Sequence, residues 1–312
     1  MFGRLATRQL VEQSPPDRGE TAMNRILRWL RIGLLSVVLL LVVAGGIIYL
    51  LSERLLRRTY TEPRVDIAVP SDSESVSEGH RLAVIRGCSS DCHGKSIEGK
   101  VFIDNLLLAR LVAPNLTAIV RQYSNTDLVR IIRRGVRPDG SSVIGMPSEM
   151  FSGLTDADLG KILAYLRSVP PHPGPGPERR LGPGARVAFV AGKLRPAAEL
   201  VRRAGLLSDT WPLDGDSTGP GGYLARTSCT ECHGLDLRGG DTAPDLRIAA
   251  GYSFDAFVGL MRRGKALGNR DLPLMSRVAR GRFRHFTDHE LRVLYTYLVV
   301  SAAMSHSTTA GP

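Results

Sequence analysis

The sequence predicts an all-α protein in which a single N-terminal transmembrane helix precedes two tandem helical domains. Three observations support this fold class: an uncharged apolar run at residues 32–51, an internal repeat over most of the remaining chain, and helix-start signals at matching places in both copies. The 312 residues are enough for about two domains of ~150 residues each. Apolar residues make up 43% and charged residues 23% of the chain, as in an ordinary globular protein.

These observations divide the chain into segments with separate expected roles. The expected segments are a cytoplasmic leader at 1–31, the transmembrane helix at 32–51, a tether at 52–74, a first domain at 75–170, a Pro/Gly-rich linker with a short helix at 171–216, a second domain at 217–302 and a tail at 303–312.

The charge of the chain limits its partners. The sequence has 41 Lys and Arg residues against 30 Asp and Glu residues, a net charge of +11. The excess is spread along the chain; residues 217–312, for example, carry 12 basic and 8 acidic side chains. Aromatic residues that could stack on bases make up only 6%. No nucleic-acid partner is expected, and four cysteines in 312 residues exclude a disulfide scaffold.

The apolar run at residues 32–51 predicts a membrane anchor. Its 20 residues carry no charge. As a helix they span about 30 Å, the hydrocarbon thickness of a bilayer. Trp29, Tyr49 and Tyr60 flank the run as interfacial side chains do. The run is longer than the apolar part of a signal peptide and no small-residue cleavage site follows it. We therefore expect a retained anchor rather than a cleaved signal or a buried core helix.

The chain after the anchor contains an internal repeat, which we align from Gly79 and Gly222. Chance does not preserve the order and spacing of its matches, so two copies of one unit of about 80–95 residues are predicted. The matches are Cys88-Ser-Ser-Asp-Cys92-His93 with Cys229-Thr-Glu-Cys232-His233, residues 113–116 with 243–246, Arg-Arg-Gly at 133–135 with 262–264, and Met146 with Met275. Each of these methionines lies 11 residues after the glycine of its Arg-Arg-Gly segment.

The sequence pattern of each copy predicts helices, and no strands are expected in either copy. A first helix carries the cysteine–histidine motif, and a second begins near Asn125 or Ser253, where apolar residues follow at helical spacing. A last helix begins at Thr155 or Thr287, each followed three residues later by an acidic residue that completes a capping box. Outside these helices we expect a polar tether at 71–78, a spacer without packed structure at 169–184 and a short helix at 197–204.

The cysteine–histidine motifs indicate a covalently bound cofactor. Cys-x-x-Cys-His at 229–233 is the attachment signature of c-type haem, because residues i, i+3 and i+4 of a helix share one face. A thiol redox pair or half of a zinc site uses the same residue types, but the sequence has no cysteine beyond the two motifs. In the first motif three residues separate Cys88 from Cys92, so either a bulged turn restores two thioether bonds or Cys92 alone is linked.

These residues resemble class I c-type cytochromes, in the tandem di-haem form with an N-terminal membrane anchor. The resemblance implies two cytochrome c-like domains with two covalently attached haem c groups. It also implies a distal methionine after the middle helix, which the equal spacing assigns to Met146 and Met275. His285 is a rival ligand in the second copy. Met150 has no counterpart in the second copy, and Met261 is expected in the core. The implied site comprises Cys88, Cys92, Cys229 and Cys232 for attachment, and His93, Met146, His233 and Met275 as iron ligands.

Iron with both axial positions filled has no open place for substrate, so the resemblance implies single-electron transfer rather than catalysis. We expect a carrier between respiratory-chain proteins, anchored once in a bacterial inner (cytoplasmic) membrane. Flanking charge does not decide its orientation, since counted from the alternative start at Met23 three basic residues precede the run and four follow it. Attachment of c-type haem outside the cytoplasm favours haem domains in the periplasm.

Two alternatives to a carrier stay open. One is a haem redox enzyme of the peroxidase-like or sulfur-oxidising kind, and the other is a cytochrome subunit of a membrane dehydrogenase or oxidase complex. The expected partners are redox proteins. Basic residues after Met275 form either a solvated loop or a docking face for an acidic partner. These residues are Arg277, Arg280, Arg282 and Arg284.

Overall fold

The N-terminal part of the chain is one long helix, α1 (Arg18–Leu56), which contains the expected span at 32–51. Its stretch Ala22–Leu56, 35 residues long, has the length and apolar composition to cross a membrane. The predicted all-α fold class with an N-terminal membrane helix is confirmed. The chain divides into two compact units, residues 1–51 and 52–312. Residues 52–312 contain two hydrophobic cores, and the terms first domain and second domain below refer to the parts of the chain around these cores. The computed structural model describes residues 18–176, 179–205, 219–240 and 243–308, so parts of the predicted leader (1–17), linker (177–178, 206–216), second domain (217–218, 241–242) and tail (309–312) lie outside the described residues.

The first domain is organised by the crossing of its first and last helices, α2 and α6. At Gly79 in α2, a Cβ atom would collide with the carbonyl oxygen of Lys161 in α6, so only glycine allows these backbones to approach. Leu82, Leu159 and Leu163 fill the core beside the crossing. The helices of this domain are α2 (Ser73–Ile85), α3 (Leu116–Gln122), α4 (Asn125–Arg134), α5 (Ser148–Phe151) and α6 (Asp156–Ser168).

The linker is packed against the first domain. It forms helices α7 (Pro183–Val190) and α8 (Ala197–Arg203), and α8 confirms the short helix predicted at 197–204. The N–H of Ala197 donates to the carbonyl oxygen of Val143 at 3.0 Å, which holds the start of α8 on the first domain.

The second domain repeats the crossing of the first. At Gly221 in α9, a Cβ atom would collide with the carbonyl oxygen of Val293 in α12. The structure therefore pairs Gly79 with Gly221, one residue before the Gly222 of the sequence alignment. The helices of this domain are α9 (Gly219–His233), α10 (Phe254–Arg263), α11 (Met275–Gly281) and α12 (Asp288–Thr308).

The predicted helix starts are confirmed at their caps. Ser124 and Ser253 precede α4 and α10, and each side-chain oxygen accepts a hydrogen bond from the backbone N–H three residues on. Thr155 caps α6 in the same way. At Thr287 the capping box is complete, because Glu290 also accepts from the Thr287 N–H at 2.7 Å.

The prediction of no strands is wrong. An antiparallel hairpin of β1 and β2 is closed by Asn105, whose side-chain oxygen accepts hydrogen bonds from the N–H groups of Leu107 and Leu108 at 2.9 and 3.0 Å. Every residue of β1 is exposed, so no alternation of buried and polar residues marks this strand in the sequence. β3 extends the sheet from within the expected spacer. The strands are β1 (Lys100–Asp104), β2 (Ala109–Ala113), β3 (Arg180–Leu181), β4 (Lys265–Ala266) and β5 (Arg270–Asp271).

The prediction of a polar tether at residues 71–78 is also wrong. Helix α2 begins at Ser73, and the Asp72 side chain caps it by accepting from the N–H of Ser75 at 2.8 Å. Upstream, Ile67 is buried in the core of the first domain. The polar residues of this segment belong to the exposed face of a capped helix rather than to a free connector.

Candidate functional site

The second cysteine–histidine motif lies in the last turn of a regular helix. Cys229, Cys232 and His233 end α9, where positions i, i+3 and i+4 share one face, as expected. Cys229 and His233 are buried and Cys232 is half-buried.

Both motif histidines are held by the same hydrogen bond. The ring Nδ1 of His93 lies 2.9 Å from the carbonyl oxygen of Pro114, and Nδ1 of His233 lies 2.7 Å from that of Pro244. A carbonyl oxygen only accepts, so Nδ1 carries the proton and the lone pair of the neutral ring is on Nε2. Burial lowers the pKa of His93, which keeps that ring neutral at neutral pH. Each ring is therefore oriented to offer Nε2 to a metal.

The first motif accommodates its additional residue in a π turn. Residues Cys88–Cys92 form a five-residue π-helical turn, in which the N–H of Cys92 donates to the carbonyl oxygen of Gly87 at 2.8 Å. This i to i+5 hydrogen bond replaces the i to i+4 bond of an α-helix. Gly87 adopts φ 77° and separates the π turn from α2. The bulged turn that the spacing predicts is present.

The four cysteines form no disulfide, and their thiols are protonated at neutral pH. Burial raises the pKa of Cys88 to about 11 and those of Cys92 and Cys229 to about 12. It also raises the pKa of Cys232. Redox-active cysteine pairs instead have lowered pKa values. Two protonated thiols beside a neutral, oriented imidazole are the donor set that a covalently attached haem uses.

The methionines separate into two groups. Met150 and Met261 are 3% and 2% exposed within the cores of the two domains, which confirms the core position expected for Met261. Met146 and Met275 are half-buried at the edge of the same cores. Met146 lies in the loop before α5, whereas Met275 is the first residue of α11. Their ligand role stays a prediction.

A single arginine joins the two motifs. The side chain of Arg282 is 8% exposed. Its Nε and Nη2 donate to Oδ2 of Asp91 at 2.8 and 2.6 Å, and its Nη1 donates to Oε2 of Glu231 at 2.8 Å. Asp91 directly precedes Cys92, and Glu231 directly precedes Cys232. The same position of both motifs therefore binds one guanidinium, and the two turns are neighbours.

The burial of Arg282 corrects the interpretation of the basic run as one solvated or docking loop. Two carboxylates from the motifs compensate this charge and withdraw it from solvent. Arg280 pairs with Asp271 at 2.8 Å on the surface. Arg277 and Arg284 are exposed and could still contact an acidic partner.

The two domains are joined beyond Arg282. Arg86, two residues before Cys88, has a fully buried side chain. Its Nη2 donates to Oδ2 of Asp158 at 3.2 Å within the first domain, and to the hydroxyls of Tyr223 and Thr227 in the second domain, each at 3.3 Å. The Tyr223 hydroxyl donates to the same Asp158 oxygen at 2.6 Å. This network holds α2 against α9 immediately before both motifs.

The domains also share a bidentate ion pair. Arg81 donates to both carboxylate oxygens of Glu290, at 2.7 and 2.9 Å, and to the carbonyl oxygen of His285 at 3.0 Å. His285 is thus placed at the boundary between the domains.

Sequence reasoning missed several residues of this site. The Ala-Pro repeat marked Pro114 and Pro244 as equivalent without indicating that their carbonyl groups bind the histidines. Arg282 was noted only as part of a basic run, because its partners are distant in sequence. The special backbone of Gly87 could have been suspected from the sequence, because this glycine directly precedes Cys88.

The chain is similar to the fructose dehydrogenase cytochrome subunit of Gluconobacter japonicus, with 24% identity over 271 residues. The aligned part covers 76% of this chain and 55% of the relative, so the chain spans about half the length of that relative. No family model matches the chain. The similarity supports a cytochrome.

Proposed function

We propose that this protein is a membrane-anchored di-haem c-type cytochrome that transfers single electrons between redox proteins. The observation that carries the proposal is the repeated hydrogen bond from a motif histidine to a proline carbonyl oxygen, next to paired cysteines. It occurs once in each domain, between His93 and Pro114 and between His233 and Pro244. A structural histidine would not need the same tautomer in both copies.

The residues of each domain have separate roles in this proposal. The cysteines of each motif would hold one haem covalently, and Nε2 of His93 or His233 would bind its iron. Met146 and Met275 would provide the remaining iron ligand in each domain. Bound haem supplies the one-electron change between Fe(II) and Fe(III). The buried domain cores exclude water from the ligands and hold them in one geometry for both oxidation states.

Arg282 supports electron exchange between the two domains. It binds the residue before the second cysteine in both motifs, so the two attachment turns are kept next to each other. The network of Arg86 and Tyr223 fixes the same arrangement behind the motifs. An electron accepted by one domain is then passed to the other within the protein, without a diffusing carrier.

The proposed location is a bacterial inner membrane, crossed once, with both domains in the periplasm. The apolar part of α1 supports the anchor. Confinement near membrane-bound donors and acceptors suits a protein of the respiratory chain.

A second candidate is the electron-transferring subunit of a membrane dehydrogenase, which the similarity to a dehydrogenase cytochrome subunit favours. This candidate keeps the same haem sites and differs in holding one partner permanently. Mild detergent extraction separates the two: a stoichiometric flavin- or quinone-containing partner would select the subunit, and purification of the cytochrome alone would select the carrier.

The proposal is tested by counting haem groups per chain with the pyridine haemochrome assay. We expect two for the full-length protein and one for the double variant Cys229→Ala, Cys232→Ala, which keeps the first motif. The near-infrared band of methionine-ligated Fe(III) should correspond to two sites. One haem in the unmodified protein would contradict the di-haem proposal, and two haems with one methionine-ligated iron would favour a redox enzyme.

A further inference from the structure

An exposed apolar surface lies on the hairpin of the first domain and on the linker. At the hairpin tip, Leu106, Leu107 and Leu108 are 69%, 67% and 53% exposed. In α7, Val187 and Val190 are 48% and 37% exposed. We call these five residues the apolar patch.

The two parts of the apolar patch are continuous. The N–H of Gly182 donates to the carbonyl oxygen of Leu108 at 2.8 Å, and the N–H of Gly184 donates to that of Leu107 at 2.9 Å. Helix α7 therefore starts against the hairpin tip. A Cβ atom on Gly184 would lie 3.0 Å from Cδ2 of Leu108. Val187 and Val190 follow Gly184 at intervals of three residues and extend the same helix face.

Helix α7 also contacts the residues at which the chain leaves its apolar run. Nη1 of Arg186 donates to Oγ of Ser52 at 2.8 Å, and its Nη2 pairs with Oε1 of Glu53 at 2.9 Å. Ser52 and Glu53 directly follow Leu51, the last residue of that run. Where an apolar segment crosses a bilayer, the first polar residues after it lie at the membrane surface. The contacts of Arg186 therefore place α7 at that surface.

Basic residues border the apolar patch. Arg180 lies in β3, two residues before Gly182, and Lys193 follows α7; both are exposed. Exposed basic side chains around an apolar surface match the anionic headgroups and acyl boundary of a bilayer.

We propose that the apolar patch inserts into the headgroup region of the membrane that holds the anchor, as a second lipid contact of this chain. The hairpin tip and α7 then restrict how the first domain tilts over the bilayer. This proposal rests on the membrane anchor and is independent of haem content. A protein partner or a second copy of the chain would cover the same residues differently, and the test separates these cases.

The test measures the depth of a nitroxide on the full-length, haem-loaded protein in nanodiscs of phosphatidylethanolamine and phosphatidylglycerol. Leu107→Cys carries the label at the hairpin tip, and Val187→Cys reports on α7 without altering the hairpin turn. Leu267→Cys is the matched control, because Leu267 is an exposed apolar residue of the second domain. Unmodified protein taken through the same labelling supplies the blank for the native cysteines.

Electron paramagnetic resonance then compares collisions with oxygen, which concentrates in lipid, and with a water-soluble nickel chelate. We expect labels at 107 and 187 to lose most collisions with the chelate and to gain collisions with oxygen relative to the label at 267. If 107 and 187 behave like 267, the patch faces water and the proposal is overturned. If their spectra are immobilised and shielded from both reagents, protein covers the patch, which overturns the proposal as well.

Discussion

Arg282 of the second domain and Asp91 of the first are joined by two hydrogen bonds, of 2.8 and 2.6 Å, directly beside the first cysteine–histidine motif. The third bond of the guanidinium, to Glu231, reaches the second motif. The buried guanidinium keeps both carboxylate partners only while both domains keep their places. Arg282 therefore couples the two motifs directly, in addition to the contacts of Arg86 and Arg81 behind them.

Replacing Arg282 by Met should destabilise the protein more than the loss of a surface ion pair does. It leaves Asp91 and Glu231 near each other without a cation, and because these side chains are 43% and 31% exposed, the loss should stay below the about 3–5 kcal/mol typical of a fully buried pair. Arg280→Met is the matched control, because Arg280 pairs with Asp271 on the surface, where such pairs contribute about 1 kcal/mol or less. Urea unfolding of the two variants, followed by circular dichroism, measures the difference. Equal losses would mean that Arg282 does not bridge the domains.

Gly87→Ala should disturb the first motif more than a comparable change elsewhere. A left-handed backbone costs about 1–2 kcal/mol for a residue with a side chain. At Gly87, φ is 77°, and an added Cβ atom would also lie 2.5 Å from Cζ of Arg282. Gly205→Ala is the control, since its φ is 68° and a Cβ atom there would meet nothing within 4 Å among the residues that the structure describes. We expect a larger fall in the melting temperature for Gly87→Ala, and the same fall in both variants would disprove the close contact.

The ion pair of Arg81 and Glu290 should make stability depend on pH in the acid range. Burial raises the pKa of Glu290, but hydrogen bonds from Arg81 and from the Thr287 N–H outweigh it, and the pKa is below its ordinary 4.5 in the folded protein. The contribution of the pair is then complete above that ordinary value and is lost as the pH falls through the lower, folded pKa.

The test compares melting temperatures from about pH 6 to about pH 3 for the unmodified protein and for Glu290→Gln. The variant should lose part of the acid-dependent decrease, because it has no carboxylate to protonate. Asp288→Asn serves as the control, since Asp288 is highly exposed. An unchanged acid-dependent decrease in Glu290→Gln would show that the pair does not stabilise the domain contact.

The π turn predicts that the first haem is attached by both cysteines. Cys88→Ala should then yield a first haem with one free vinyl group, which extends the conjugation of the porphyrin and moves its α-band to longer wavelength. Pyridine haemochrome spectra of the variant and of the unmodified protein measure this shift. If the spectrum does not change, Cys92 alone carries the haem.

Methionine ligation predicts different effects for two methionines of the second domain. Met275→Leu should lose about half of the near-infrared band of the ferric protein and lower one reduction potential, since a ligand is removed. Met261→Leu keeps the core apolar and should leave the band unchanged, with a change in stability below about 1.5 kcal/mol. If Met261→Leu lost the near-infrared band and Met275→Leu kept it, Met261 would be the iron ligand and Met275 a packing residue.

Most helices could be predicted because their signals are local. Ser124 and Thr287, for example, combine a capping side chain with an apolar pattern that follows at once. The crossing glycines were visible only in part: Gly79 was aligned with Gly222, but the close backbone approach occurs at Gly221. The adjacent glycines Gly221 and Gly222 cannot be told apart by spacing, and composition alone cannot locate a contact between two helices.

Two kinds of feature could not be predicted from the sequence. Some depend on contacts between residues that are distant in sequence, and others are strands without a buried face. Arg282 and Asp91 are 191 residues apart, so nothing in the local pattern distinguishes Arg282 from its exposed neighbours. The hairpin closed by Asn105 has an exposed first strand, so its sequence shows no alternation. Its stability comes from backbone pairing and from the turn, which hydrophobic periodicity does not report.

The position of Arg282 also acts on the first motif's own chemistry. Its Nη2 lies 3.8 Å from Sγ of Cys92. Burial raises the pKa of that thiol, and the nearby guanidinium opposes the rise. The side chain that bridges the two motifs therefore also tunes the acidity of a cysteine, so its loss would make the Cys92 thiol harder to ionise as well as weaken the domain contact.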